Sequence, residues 1–299
     1  MPRLFSFLTP FLGLVSLVLG GCSPLSLVNG IVTDDGYVRA EGLVYGPGPR
    51  QRLDVYRPEN TKGPSPVIVF FYGGSWKGGD RASYRFIGEA FTRRGFTVVI
   101  PDYRVYPEVM FPKFVEDGAA AVRWTRENIA EFGGDPDRIF LAGHSAGAHT
   151  AALLAVDRRY LRNAGVPDGA ICGVAGVAGP YSFDPTTFDS VKVIFAGVAD
   201  SDTTRPVKQI TTAAPPFLLF HGDDDTTVYP KNSRDFAAEM QAKGRPVDLV
   251  SIPGIGHYRI LLAMAGPFEG IAPVNDRIAG FVDSHRSCIP ARGAETAVR

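Results

Sequence analysis

From Arg50 onward, short apolar runs alternate with longer stretches in which apolar residues recur every three or four positions. The runs read as strands: QRLDVYRP (51–58), PVIVFFY (66–72), FTVVIPDY (96–103), RIFLAGH (138–144), GAICGVAGVA (169–178), PPFLLFHG (215–222) and VDLVSIP (247–253), with GLVYG (42–46) a weaker opener. In the run 51–58, Leu53 and Val55 alternate with Asp54 and Tyr56, the pattern of an edge strand. The central runs are apolar throughout, as parallel strands covered on both faces are. Between them, Val115, Ala119, Val122 and Ile129 fall on one helical stripe over 112–132 that stops at GGDP. Phe236 and Met240 mark a second helix over 231–243, and a short last helix is expected from Asn275 to Arg286. This alternation predicts an α/β fold, a mostly parallel eight-stranded sheet with helices on both faces.

The first 22 residues, MPRLFSFLTPFLGLVSLVLGGC, break the pattern. One positive charge at Arg3, an apolar stretch from Leu4 to about Leu19 and small residues before Cys22 make an export signal. The four residues LGGC resemble a bacterial lipobox, which implies cleavage before Cys22 and a lipid on that cysteine. The alternatives are an ordinary secretory signal or a retained anchor. The expected organisation is a signal over 1–21, a tether over 22–40, a catalytic domain over 41–290 and a flexible tail over 291–299, held in the cell envelope by the N-terminal lipid. Residues 181–214, polar and weakly periodic, form a candidate lid or substrate-facing insertion. Export permits a disulfide between Cys172 and Cys288, while the apolar run around Cys172 suits a buried thiol equally well.

A chain of 299 residues, 45% hydrophobic, can bury one large core. Its 31 Lys and Arg balance 31 Asp and Glu, which leaves no surplus to neutralise nucleic-acid phosphates and points to a small or neutral partner. No His and Cys spacing suggests a zinc site, and no metal or cofactor is expected.

GHSAG (143–147) follows a predicted strand and precedes the alanine-rich AHTAALLAV. In such a strand-turn-helix the middle serine is held out on a strained backbone, and glycine two residues to either side relieves collisions with neighbouring elements. Ser145 is thus a candidate nucleophile. A serine hydroxyl needs a base, and the base an orienting acid, in the chain order serine, acid, histidine for this turn type. His257, in PGIGHY after the last strand, has that place, whereas His144 and His149 come too early. The acid comes from HGDDDTTVYP, where spacing does not separate Asp223, Asp224 and Asp225; Asp184 is a weaker choice. FYGGSWKGGD after the second long apolar run brings Gly73 and Gly74 close to a substrate oxygen, and Ala146 adds a backbone N–H at a helix N-terminus. Tyr72, Trp76, Tyr181 and Tyr258 are candidates to rim the pocket, with packing in the core the alternative reading for the aromatic residues on these loops.

These residues resemble the α/β-hydrolase superfamily, and within it the carboxylesterase branch related to hormone-sensitive lipase, kynurenine formamidase and bacterial feruloyl-esterase-like proteins. The likeness runs from about residue 42 to 285: YGGSW resembles the H-G-G-x-W oxyanion loop, FGGDPDRIFLAGHSAGAH the nucleophile region, and HGDDDTTV the H-G-x-x-D-x-x-V acid motif. It implies an α/β-hydrolase fold, Asp225 as the acid and hydrolysis of small or short-chain esters through an acyl-enzyme. Tyr72 stands where the family has histidine, which bears on substrate range. The rivals are a peptidase or amide hydrolase of the same fold and a lipid-anchored binding protein that has lost the chemistry.

Overall fold

The computed structural model describes residues 28–33, 35–285 and 288. Eight strands form one sheet in the order β1-β2-β4-β3-β5-β6-β7-β8. They are β1 (Tyr37–Val44), β2 (Arg52–Pro58), β3 (Ser65–Phe71), β4 (Thr97–Pro101), β5 (Gly134–His144), β6 (Ile171–Val177), β7 (Phe217–Gly222) and β8 (Val247–Ile252). β2 pairs antiparallel with β1 and β4, and the strands from β4 to β8 pair in parallel. Every residue of β3, β4, β6 and β7 is buried, which is why their sequences carry no alternation. From β3 the chain winds first to β4 and then back to β5. That reversal opens a crevice at the carboxyl ends of the strands.

Seven helices cover the sheet among the described residues: α1 (Arg85–Thr92), α2 (Lys113–Asn128), α3 (Ala146–Val156), α4 (Arg158–Asn163), α5 (Lys231–Ala242), α6 (His257–Leu262) and α7 (Val274–Ser284). α3 is buried along its whole length, against β5, β6 and α2, as its alanines and leucines allow.

Two expectations need correction. β2 is not an edge: β1 lies outside it, so Asp54 and Tyr56 are buried. Asp54 is compensated there by Arg81 at 2.7 Å. The tether does not extend to residue 40. β1 begins at Tyr37, and the Asn29 side chain hydrogen-bonds the Ala82 carbonyl (2.7 Å) and the Phe86 amide (3.2 Å), which docks the segment before β1 onto α1. The export signal, Cys22 and the tail over 291–299 lie outside the described residues. Cys172 of β6 and Cys288 are joined in a disulfide across a sequence separation of 116.

Candidate active site

Ser145 sits between β5 and α3 with φ 55° and ψ −124°, a conformation that costs a non-glycine residue about 1–3 kcal/mol. The surroundings enforce it. The Ser145 amide donates to the Val177 carbonyl at 2.9 Å, and its carbonyl accepts from the His149 amide at 3.1 Å. A Cβ on Gly147 would come within 2.0 Å of the Phe71 carbonyl oxygen, and one on Gly143 within 2.6 Å of the Gly147 backbone. Glycine is required at both positions because β3, β5 and α3 meet there backbone to backbone.

The loop after β8 delivers His257 as the first residue of α6. Its Nε2 lies 2.9 Å from Ser145 Oγ, and its Nδ1 lies 2.7 Å from Asp225 Oδ2. The loop after β7 holds Asp225 with the Thr227 amide (2.9 Å) and the Val228 amide (2.8 Å), both donating to Oδ1. Burial pushes this carboxyl upward, but hydrogen bonds from His221, His257 and the Val228 amide outweigh it and hold the group well below the usual carboxylate range. His221 fixes that loop in turn: its Nε2 donates to the Val228 carbonyl at 2.7 Å, and its Nδ1 is 2.6 Å from Ser233 Oγ. The three aspartates that spacing left open are therefore distinct in space. Asp223 and Asp224 are exposed, the former hydrogen-bonded by Ser251, and Asp184 takes its bonds from Thr186 and Ser201.

His144 has a role that chain order concealed. It is buried with Nε2 3.1 Å from the His257 carbonyl. A carbonyl only accepts, so Nε2 carries the hydrogen and Nδ1 is a bare acceptor, without a partner among the described residues. Burial first, and the neighbouring His257 second, lower its pKa to about 3 and keep it neutral. Its identity as the variable residue of G-x-S-x-G was the available signal.

Gly73 and Gly74 follow β3 beside this group. A Cβ on Gly73 would lie 3.0 Å from Ser145 Cβ, and the Gly73 backbone hydrogen-bonds the Tyr84 hydroxyl. The Gly74 carbonyl accepts from the Lys77 and Gly78 amides, which folds the loop back on itself. Ala146 opens α3, so its amide is among those at the helix N-terminus that have no carbonyl within the helix to bond. Among the described residues no group of three or more His, Cys, Asp or Glu could hold a metal ion.

The fold is that of esterase B from Lactobacillus rhamnosis, with a TM-score of 0.75 at 20% identity over 88% of this chain and 92% of that one. The chain has the α/β-hydrolase fold. The BD-FAE family profile matches residues 53–174 of this chain. It is 33% identical over 249 residues to a probable isoprenylcysteine alpha-carbonyl methylesterase of Arabidopsis thaliana, covering 76% of this chain and 52% of the relative. It is 32% identical over 265 residues to esterase LipC of Mycobacterium tuberculosis, covering 80% and 65%. The chain thus spans between half and two thirds of the length of these two relatives.

Of the four aromatic candidates for the pocket rim, two belong to the core instead. Tyr72 is fully buried, its ring stacked between Tyr84 and Tyr103; its hydroxyl donates to Asp102 Oδ1 at 2.8 Å and accepts from Arg50 at 3.1 Å. It ties the end of β3 to its neighbours. Tyr181 is core as well, packed on Phe236, with its hydroxyl filling the space left by Gly176 and Gly179. Trp76 and Tyr258 do face cavities, and these cavities are two, meeting at Ser145. The larger, about 780 Å³, has Val28, Tyr84, Phe86, Tyr258, Leu261 and Leu262 around Gly73, His144 and His257. The smaller, about 160 Å³, is walled by Trp76, Ala146, Phe183, Phe188, Val191 and Tyr229. The segment 181–214 reaches this second cavity through Phe183, Phe188 and Val191. Asn232 Oδ1 accepts from the Ser182 and Phe183 amides at 3.0 Å each and fastens the segment to α5.

Proposed function

We propose that this α/β-hydrolase is a serine carboxylester hydrolase acting on small or short-chain esters. The reading is carried by one observation: Ser145 Oγ, His257 and Asp225 form a continuous hydrogen-bonded line of 2.9 and 2.7 Å at the mouth of two apolar cavities. The esterase names of its relatives support it. His257 Nε2 takes the Oγ proton as the oxygen attacks the acyl carbon, and the charge on the former carbonyl oxygen is met by the Gly74 and Ala146 amides beside Gly73. The tetrahedral species collapses to the acyl-enzyme, and the leaving alkoxide receives the same proton from His257. Water, deprotonated by His257, then adds to the acyl carbon, and His257 returns that proton to Ser145 Oγ as the acyl–Oγ bond breaks and the acid leaves. Asp225 holds the imidazole with Nδ1–H toward it and stabilises the transient imidazolium. No cofactor enters these steps.

We also propose that the chain is exported and lipidated on Cys22, with the segment 181–214 serving as the substrate-facing insertion. The LGGC stretch supports the first point, and the Cys172–Cys288 disulfide suits an oxidising compartment.

The test is release of p-nitrophenol from acetate, butyrate and longer acyl esters by the chain lacking residues 1–22, beside Ser145→Ala. Short-chain hydrolysis that falls by about 10⁴-fold or more in the variant is expected. Equal background rates in both proteins across the series overturn the reading.

A further inference from the structure

The two cavities differ about fivefold in volume, and His257 distinguishes them chemically. The leaving oxygen must come within about 3 Å of the imidazole nitrogen that protonates it. His257 and His144 line the large cavity, whereas among the described residues the small one is lined from Ser145 and Ala146 outward without either histidine. In the tetrahedral intermediate the acyl carbon carries four groups: Ser145 Oγ, the oxyanion held by backbone amides, the leaving oxygen and the acyl chain. With the leaving oxygen turned to His257, the acyl chain is directed away from it, past Ala146 and Trp76. We propose that the large cavity holds the alcohol portion and the small cavity the acyl portion, so that the substrates are short-acyl esters of bulky apolar alcohols. This rests on the ester-hydrolase reading above and narrows it.

Size and wall chemistry agree. A volume of about 160 Å³ falls below the roughly 300–1,000 Å³ of cavities that enclose drug-sized ligands. Phe183 and Phe188 limit an acyl chain to a few carbons. The volume of about 780 Å³ lies inside that range. Its side chains beyond the catalytic group are mostly apolar or aromatic, and the one carboxylate, Asp80, is occupied with Ser83, accepting from its amide and hydroxyl at 2.9 Å. A ring system fits such a wall, and a charged headgroup does not.

Two isomeric esters test the assignment because they differ only in the direction of the ester: 2-naphthylmethyl acetate, with the ring on the alcohol, and methyl 2-naphthylacetate, with the ring on the acid. With kcat/KM divided by each ester's hydroxide-catalysed rate, the acetate is expected to be preferred by about tenfold or more, the scale on which an apolar pocket discriminates. Phe188→Ala should raise the ratio of 2-naphthylmethyl hexanoate to acetate turnover, and Leu262→Trp should lower the ratio of 2-naphthylmethyl acetate to ethyl acetate turnover. Equal or reversed preference between the isomers, with p-nitrophenyl acetate still hydrolysed, overturns the assignment and leaves ester hydrolysis intact. No turnover of any ester, p-nitrophenyl acetate included, removes both.

Discussion

The proposed catalytic frame and the cavity walls are built on opposite plans. In the frame, Asp225 and His257 are 2% and 5% exposed, and Asp225 accepts from two backbone amides as well as from the imidazole. Along the walls, Phe188, Tyr229 and Tyr258 are 45%, 62% and 73% exposed. The frame is held by main chain at the ends of β3, β5, β7 and β8, where a change in one residue displaces the others. The walls are side chains on loops and on helices α1 and α6, where a change at an exposed position alters fit and little else. Chemistry and selectivity can therefore be separated by mutation.

The sharpest separation comes from Asp225→Asn. An amide with its NH₂ toward His257 favours the wrong tautomer, and kcat for p-nitrophenyl acetate is expected to fall about 10³- to 10⁴-fold while KM changes little. A loss below tenfold would mean that the carboxylate is not needed to orient the imidazole. Next in size is Gly147→Ala. Its Cβ would be 2.0 Å from the Phe71 carbonyl, so a destabilisation of about 3 kcal/mol or more is expected in urea unfolding, against less than about 0.5 kcal/mol for an exposed wall position such as Tyr258→Ala. Similar values for the two would erase the contrast.

Acid should act on the frame before it acts on the walls. His144 and His149 are held neutral, chiefly by burial, with pKa values lowered to about 3 and about 4. In the unfolded chain each takes up a proton below about pH 6.5. Between about pH 6.5 and 4 the unfolded state thus binds more protons, and stability falls as pH falls, by up to about 1.4 kcal/mol per pH unit for each histidine. The depressed Asp225 carboxyl contributes in a different window. Its stabilisation is complete above the unfolded value near about 3.9 and is lost only as pH drops further toward its folded value. Urea midpoints of the wild type and His149→Phe at pH 4.5, 5.5 and 6.5 should show a shallower slope for the variant. Parallel slopes would exclude His149 as a source. The smallest effect expected is that of Tyr258→Ala on kcat/KM for p-nitrophenyl acetate, less than about tenfold.

What the sequence discloses follows the same division. GHSAG is legible because backbone crowding leaves only glycine at 143 and 147. His257 is legible from chain order. Asp225 is not separable from Asp223 and Asp224 by spacing, since what selects it is a pair of amides and His221 brought in by the turn. The two misplaced tyrosines fail for a related reason. Tyr72 is polar enough for a rim, but Arg50 and Asp102, distant in sequence, satisfy its hydroxyl inside the core. Helix α1 escapes a periodicity reading because it is eight residues long and contains Gly88, where a Cβ would meet the Tyr56 ring at 2.5 Å. The sizes of the two cavities leave no trace in any local pattern, since their walls gather residues from 28 to 262.

Val28 closes part of the large cavity, and only five residues separate it from Cys22. Fully extended, the stretch from Cys22 to Val28 spans no more than about 20 Å. On the proposal that Cys22 carries a lipid, the entrance to that cavity is leashed within headgroup reach of the bilayer. On that reading and the proposed ester hydrolysis, the protein would meet a water-insoluble ester by searching across a surface, with no need to capture it from bulk solution.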